Sequence, residues 1–188
     1  GELTEPQTAI IDKQKPMVAL TFDDGPHYTV TPRILDILQE HNARATFFVL
    51  GNRVDNFPNI IQREYSQGHE IGSHSFSHPQ ITTLTSDEIE YQFAETEHRI
   101  QQYVPYTTKL VRPPYGQITQ SLKEVLQKTF VLWSIDTQDW KTRDKDAIVS
   151  EVLNNVKDGD IILMHDMYST TADACEELIP ALIERGYQ

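Results

Sequence analysis

Two histidines four residues apart and a pair of adjacent aspartates are the residues of this sequence best suited to metal chemistry. His74 and His78 form an H-x-x-x-H pattern, and Asp23 and Asp24 stand together in TFDDGP. Two imidazoles and one carboxylate make a complete ligand set for a divalent metal ion with open positions. Because neighbouring side chains at the end of a strand point in different directions, one aspartate can bind the metal while the other acts as a general base on water. The pattern leaves open which aspartate does which.

Each of these patterns also has a simpler explanation when it is taken alone. Asp-Gly-Pro is ordinary turn chemistry, and most H-x-x-x-H pairs are surface or core histidines. His165, in ILMHD, is either a general acid or a hydrogen-bonded core histidine. The case for chemistry therefore depends on whether the fold brings these residues together.

An alternation of short apolar runs and amphipathic stretches predicts the elements that would position them. The predicted strands cover residues 17–22, 45–50, 69–73, 109–112, 130–135 and 160–164. The predicted helices begin with Thr31 as N-cap before Pro32, at Pro58, and at a capping box of Thr85 and Glu88, which starts a helix to about residue 103; others cover residues 119–128, 146–156 and 172–185.

Strands that alternate with helices indicate parallel strands joined by crossovers. A regular eightfold barrel typically needs about 250 residues, so 188 residues favour a doubly wound sheet or a shortened barrel. The candidate residues follow directly after predicted strands, and in either layout the carboxyl ends of parallel strands meet on one face. We therefore expect the candidates to share one rim.

Composition excludes several other classes of protein. Sixteen Lys and Arg against 28 Asp and Glu give a net charge of −12, which argues against a nucleic-acid partner. No apolar run reaches the roughly 18 residues of a membrane span. Cys175 is the single cysteine, so we expect a small buried residue and no disulfide framework. Residues 1–15 are polar and are expected to be a linker.

Five motifs in one order give the sequence a family resemblance. TFDDGP, HSFSH, RPPYG, DTQDW and LMHD resemble those of the polysaccharide deacetylases, carbohydrate esterase family 4 or the NodB homology domain. The resemblance covers residues 16–188 and is closest to peptidoglycan N-acetylglucosamine deacetylases. It implies an α/β fold, a distorted, incomplete (β/α) barrel with parallel strands. It also implies a further strand after the last helix, where this sequence stops at Gln188.

The resemblance implies a role for each motif residue of the metal chemistry. Asp24, His74 and His78 match a metal triad, which implies a divalent cofactor, Zn²⁺ first, with Co²⁺, Ni²⁺ or Mn²⁺ accepted. Asp23 matches the catalytic base. Arg112 matches the arginine that orients this base and keeps it ionised.

The later motifs imply the acid and the substrate pocket. His165 matches the acid that protonates the departing amine, with Asp139 as its carboxylate partner. Tyr115 matches the residue whose backbone N–H stabilises the oxyanion. Trp140 and Leu163 match the walls of the acetyl pocket, and Tyr115 and Pro114 are further expected substrate-binding positions.

The implied activity is metal-dependent removal of N-acetyl groups from N-acetylglucosamine units of a polysaccharide, with release of acetate. Peptidoglycan is the first expected substrate, chitin or its oligomers the second and acetylated xylan the third. A monomer at the cell envelope or outside the cell is expected. A carbohydrate- or metal-binding module is the alternative from another class, and such a module is expected to lack the base or the acid.

Overall fold

The computed structural model describes residues 3–188, which form seven strands and eight α-helices. The strands are β1 (Ala19–Asp23), β2 (Thr46–Val49), β3 (Glu70–Ser73), β4 (Leu110–Val111), β5 (Thr129–Phe130), β6 (Ile135–Asp136) and β7 (Ile161–His165). The helices are α1 (Val30–Glu40), α2 (Gly51–Val54), α3 (Pro58–Ser66), α4 (Ser86–Gln101), α5 (Gln120–Val125), α6 (Asp139–Thr142), α7 (Lys145–Asn155) and α8 (Ser169–Glu184). Single 3₁₀ turns cover Ile81–Thr83 and Pro114–Gly116.

The strands form one parallel sheet in the order β5-β4-β3-β2-β1-β7-β6. β5 and β6 lie at opposite edges, yet only residues 131–134 connect them. Such a connection spans at most about 18 Å when fully extended, whereas seven flat strands would place the edges about 29 Å apart. The sheet must therefore curl, and the predicted incomplete barrel with parallel strands is confirmed.

The predicted strand over residues 130–135 was wrong, because the chain forms two separate edge strands there. Arg112 explains the interruption, since its side chain donates to the carbonyl oxygens of Val131 at 3.2 Å and Leu132 at 2.7 Å. The apolar segment 130–135, which was predicted as one buried strand, therefore crosses from one edge of the sheet to the other.

The helix starts were predicted with mixed success. Pro58 opens α3 and the capping box of Thr85 and Glu88 precedes α4, both as predicted. Thr31 is not an N-cap, because α1 already begins at Val30. α8 also begins earlier than predicted, at Ser169 rather than at residue 172.

Alternation along the strands separates the core from the site. Leu20 and Phe22 of β1 and Ile162 and Met164 of β7 are buried in the main core, as is Cys175 of α8. The residues between them in β1 and β7 point to the other face of the sheet, inside the curl. Leu20, Phe22, Ile162 and Met164 thus fix the sheet against its helices, while Thr21, Asp23, Leu163 and His165 face the inside of the curl.

Residues 3–15 form no helix or strand but lie against the rest of the chain. The backbone N–H of Gln7 donates to Ser66 O at 3.1 Å, and that of Asp12 donates to Gln188 Oε1 at 2.9 Å. Residues 1–2 of the predicted linker lie outside the described residues, and its division from a catalytic domain at residue 16 stays a prediction. Within residues 3–188, no helix combines the length and apolar character needed to span a membrane.

Candidate active site

The candidate residues meet at the carboxyl ends of the parallel strands, as expected. Asp23 is the last residue of β1, and His165 is the last residue of β7; the two strands pair in register with Asp23 opposite His165. His74 follows β3 directly, and Arg112 follows β4. The order of the strands therefore collects residues that are up to 142 positions apart in the chain.

Asp24, His74 and His78 bring three potential metal ligands together. Their ligand atoms all lie within 4.8 Å of one another, with Asp24 Oδ1 3.3 Å from His74 Nε2 and 3.6 Å from His78 Nε2. Asp24 Oδ1 is buried and has no hydrogen-bond partner among residues 3–188. His74 Nδ1 lies 2.5 Å from the Arg112 carbonyl oxygen, so this nitrogen carries the proton and Nε2 is free to bind a cation. The donor set fits a divalent metal.

The three side chains also shift the pKa of one another. Burial alone would raise the pKa of Asp24, but the imidazoles around it outweigh burial and lower it. Burial opposes protonation of His74, yet Asp23 and Asp24 raise its pKa. The pKa of His78 is lowered, first by burial and then by His74. One carboxylate is thus kept ionised between two imidazoles.

Arg112 holds Asp23 from within the curl of the sheet. The arginine is fully buried, and its Nη1 donates to Asp23 Oδ1 and to Thr21 Oγ1, both at 2.8 Å. With the bonds to Val131 O and Leu132 O, four of the five guanidinium N–H groups donate hydrogen bonds. Because burying a charged group is costly unless it is paired and hydrogen-bonded, these bonds fix both Asp23 and the crossing segment.

Aromatic rings complete the surroundings of this arginine. Its guanidinium carbon lies 4.4 Å from the Phe48 ring centre and 5.5 Å from that of Trp133, within the range of cation–π attraction. Gly72 makes room for Phe48, because a Cβ at that position would lie 2.5 Å from the ring. The apolar packing excludes water from the back of Asp23.

His165 and Asp139 form the second pair of the site. His165 Nδ1 lies 2.8 Å from Asp139 Oδ1, and the backbone N–H of His165 donates to Asp139 Oδ2 at 2.7 Å. Burial would lower the pKa of His165, but this hydrogen bond and the charges of Asp139, Asp23 and Asp24 raise it to about 9. The imidazole is therefore held as a cation, with Nε2 4.0 Å from Asp24 Oδ2.

The predicted substrate-binding residues surround this cluster at different depths. Tyr115 is 61% exposed and its ring centre lies 4.8 Å from that of His78. Trp140 is 51% exposed beside Asp139. Leu163 in β7 and Pro114 are buried. Tyr115 and Trp140 are therefore exposed aromatic side chains, whereas Leu163 and Pro114 are enclosed.

The loops of the site hold an unusual backbone conformation. Seven non-glycine residues among residues 3–188 have positive φ, and only Asn42 lies elsewhere. The six in the site loops are Asp24 (78°), Ser75 (75°), His78 (63°), Tyr115 (59°), Gln138 (53°) and Arg143 (47°). Each such residue costs about 1–3 kcal/mol and persists only where its surroundings enforce it. This concentration of strain marks the rim as functional independently of the motifs.

Sequence reasoning missed two threonines that support the site. Thr171 Oγ1 in α8 donates to Asp139 Oδ2 at 2.8 Å. Thr21 Oγ1 accepts from Arg112 and donates to the Ile162 carbonyl at 2.6 Å. Both are fully enclosed polar side chains, but a threonine in a strand or a first helical turn gives no signal of a distant partner.

Asp166, the residue after His165, supports the site from below. It is buried, accepts from Thr31 Oγ1 at 2.7 Å and packs against Gly25. Burial raises its pKa to about 7, although the Thr31 hydroxyl opposes the rise. Its backbone N–H donates to the Asp23 carbonyl at 3.3 Å. Asp166 therefore supports the turn that carries Asp23 and Asp24.

Comparison with known proteins agrees with this architecture. The family described as "Polysaccharide deacetylase" matches residues 11–131. The peptidoglycan-N-acetylmuramic acid deacetylase PdaC of Bacillus subtilis is 43% identical over 97% of this chain and 39% of its own length. The peptidoglycan-N-acetylglucosamine deacetylase PgdA of Listeria monocytogenes is 40% identical over 94% of this chain and 38% of its own length.

Two further comparisons extend the similarity. A chitooligosaccharide deacetylase of Sinorhizobium fredii is 38% identical over 92% of this chain and 88% of its own. The solved structure of PdaC from Bacillus subtilis superposes with a TM-score of 0.93 at 44% identity, covering 95% of this chain and 88% of that chain.

The chain spans about two fifths of the length of the PdaC and PgdA sequences. The match nevertheless covers nearly all of this chain, in both sequence and structure. With the parallel half-barrel and the converging motifs, these similarities establish that the chain belongs to the polysaccharide deacetylase family.

Proposed function

We propose that this chain hydrolyses N-acetyl groups on the amino sugars of peptidoglycan, with a divalent metal ion, and releases acetate. One observation carries the proposal: three metal ligands lie between a carboxylate held by an arginine, Asp23, and a histidine held by a carboxylate, His165. A binding module has no need for both an oriented base and an oriented acid. The arrangement therefore favours an enzyme.

The metal would be held by Asp24, His74 and His78, and Zn²⁺ suits two imidazoles and a carboxylate. When bound there, the ion supplies Lewis-acid polarisation and lowers the pKa of water. Co²⁺, Ni²⁺ and Mn²⁺ accept the same donor types. The unpartnered, buried Asp24 Oδ1 supports this assignment.

Asp23 is the proposed general base that takes a proton from the attacking water. Arg112 acts as its positioning residue, because the 2.8 Å bond holds one carboxylate oxygen and leaves Oδ2 facing His74 at 3.6 Å. Oxygen of the water then bonds to the acetyl carbon, and the developing oxyanion is stabilised by the backbone N–H of Tyr115. The hydrogen bond from the guanidinium keeps the Asp23 carboxylate in place while it accepts the proton.

His165 is the proposed general acid. An amine leaves poorly as an anion, so cleavage of the C–N bond needs a proton on nitrogen. The raised pKa of His165, about 9, keeps that proton available at neutral pH, and Asp139 fixes the ring through Nδ1. The products are acetate and a free amino sugar.

The substrate is proposed from the rim and from the relatives. Tyr115 and Trp140 offer exposed aromatic faces for a sugar ring, and Leu163 and Pro114 would line the acetyl pocket. The names of the PdaC and PgdA proteins favour peptidoglycan as the substrate. Because peptidoglycan is a cell-wall polymer, we propose that the chain acts outside the cell, as a monomer. Chitooligosaccharides are the second candidate, because the Sinorhizobium fredii relative acts on them by name.

Acetate release tests the proposal. Peptidoglycan, chitooligosaccharides and acetylxylan are compared with and without a chelator, and metal is added back. We expect release that the chelator abolishes and the metal restores, greatest with peptidoglycan. Asp23→Asn, which keeps the three metal ligands, should lower release by orders of magnitude. Release that survives both the chelator and this substitution would refute the proposed reaction.

A further inference from the structure

Arg143 presents a fixed cation at the edge of the site. Its backbone is left-handed, φ 47°, and it ends the four-residue helix α6 that carries Asp139 and Trp140. The side chain folds back, so that Nε donates to the Trp140 carbonyl at 2.9 Å. The guanidinium carbon lies 3.7 Å from the centre of the Tyr168 ring. Backbone and side chain are therefore both held in one arrangement.

The Arg143 guanidinium has no anionic partner within residues 3–188. Within the described residues, no carboxylate forms an ion pair with Arg143, although Asp144 is its neighbour. Four other arginines have a carboxylate partner, whereas Arg44, Arg53 and Arg185 donate to carbonyl or amide oxygens, as Arg143 does. Nη1 and Nη2 form a planar fork that matches a carboxylate.

The position of the fork relative to the chemistry is set by Tyr168. The Tyr168 ring centre lies 6.1 Å from that of His165, and Arg143 packs on the same ring. The Arg143 guanidinium and the His165 imidazole are thus both neighbours of the Tyr168 ring, and His165 is the residue proposed to protonate the leaving amine. A group that reaches it must be carried by the substrate close to the acetamido nitrogen.

Peptidoglycan has an anion in that place and chitooligosaccharides do not. N-acetylmuramic acid carries a lactyl ether on the ring carbon next to the one that bears the acetamido group. Its carboxylate is either free or joined to a stem peptide that has carboxylates of its own. We propose that Arg143 binds a carboxylate of the substrate and so favours muramic-acid-containing strands over neutral chitooligosaccharides, an inference that rests on the proposed function.

The test compares three glycans with the metal-loaded chain. They are muramic-acid oligomers without stem peptides, the same oligomers with stem peptides, and chitooligosaccharides of equal length. Arg143→Gln should lower kcat/KM about tenfold for the carboxylated glycan that the guanidinium binds, because the substitution removes one charge-assisted hydrogen bond. For the neutral chitooligosaccharide, kcat/KM should change less than twofold. A loss confined to the oligomer without stem peptides identifies the lactyl carboxylate as the group that binds. A loss confined to the oligomer with stem peptides identifies a carboxylate of the stem peptide.

Two control variants distinguish the effect of the planar guanidinium geometry of Arg143 from the effect of a positive charge alone. Lys141→Gln removes a cation from the same loop and should leave the selectivity unchanged, while Arg143→Lys should restore only part of it. Equal losses on all three glycans, or no loss with either carboxylated glycan, would overturn the inference.

Equilibrium binding separates this inference from the proposed reaction. Each glycan is titrated calorimetrically into the wild type and the Arg143→Gln variant. If the wild type released no acetate from any glycan, the proposed function would fail, yet about tenfold weaker binding of a carboxylated glycan to the variant would still support the carboxylate site. If the carboxylated glycans bound the wild type and the Arg143→Gln variant with equal affinity, the proposed carboxylate site would be overturned.

Discussion

Removing the buried Arg112 guanidinium should expose how much of the fold depends on the ion pair of the site. Arg112→Met takes away four hydrogen bonds and leaves Asp23, which is only 3% exposed, without its cationic partner. Breaking a buried pair on one side costs about 3–5 kcal/mol. Because a domain of this kind is stable by about 5–15 kcal/mol, we expect a large but measurable loss.

A double-mutant cycle isolates the pair from the packing of the arginine stem. Asp23→Asn removes the carboxylate charge, and the double variant with Arg112→Met removes both charges. We expect the double variant to be more stable than the sum of the single losses predicts, by about 2–3 kcal/mol. Urea denaturation of metal-free protein measures each free energy of unfolding, since a bound ion would stabilise the variants unequally.

Additive losses would refute this account of the pair. An interaction energy below about 0.5 kcal/mol, the range of independent sites, would mean that Arg112 acts through packing alone. If Arg112→Met does not fold, Arg112→Gln, which also removes the charge but keeps a polar side chain, closes the same cycle with Asp23→Asn.

Three further changes test the surroundings of the site. Thr171→Val removes a hydroxyl donor to Asp139 and should lower acetate release from amides about tenfold, while hydrolysis of an activated ester, whose leaving group needs no proton, changes less than twofold. Gly25→Ala should destabilise the fold by about 1–3 kcal/mol, because its Cβ would lie 2.2 Å from Asp166 Oδ2. His69→Asn should remove a loss of stability that the wild type shows as the pH falls from about 6.5 to about 4. Burial lowers the pKa of His69 to about 4, so between these pH values only the unfolded chain binds the proton. The free energy of unfolding then falls by up to about 1.4 kcal/mol per pH unit.

Each of these changes has a matched control. Thr171→Ser should restore amide turnover, and equal losses on amide and ester would contradict a role through the acid. Asp166→Ser should relieve part of the cost of Gly25→Ala, and strictly additive costs would contradict the clash. Denaturation at several pH values compares His69→Asn with wild type, and an unchanged slope between pH 6.5 and 5 would contradict the buried neutral imidazole.

The parallel sheet and the rim could be predicted because their signals are local. Asp23 and His165 each end an apolar run that is long enough for a strand, and parallel strands place such ends together. The order of strands in the sheet was not needed for that conclusion. The sequence therefore predicted which residues meet without predicting how each one is held.

Features that depend on distant partners could not be predicted. The split near residue 130 arises because the side chain of Arg112 takes carbonyls that a strand would have paired. Thr171 and Thr31 both resemble ordinary residues of a helix start, but their hydroxyls donate to carboxylates 32 and 135 residues away. The left-handed backbone of Arg143 is set by its neighbours in space, so no propensity signals it.

Metal binding by the isolated chain tests the central claim most directly. The chain is stripped of metal and titrated with Zn²⁺ in a calorimeter, beside the His74→Ala and Asp24→Ala variants. We expect one equivalent to bind to the wild type and affinity to fall at least tenfold in each variant, since each loses one of three ligands. Stoichiometric binding that both variants retain unchanged, or no binding by the wild type, would contradict a metal centre at Asp24, His74 and His78.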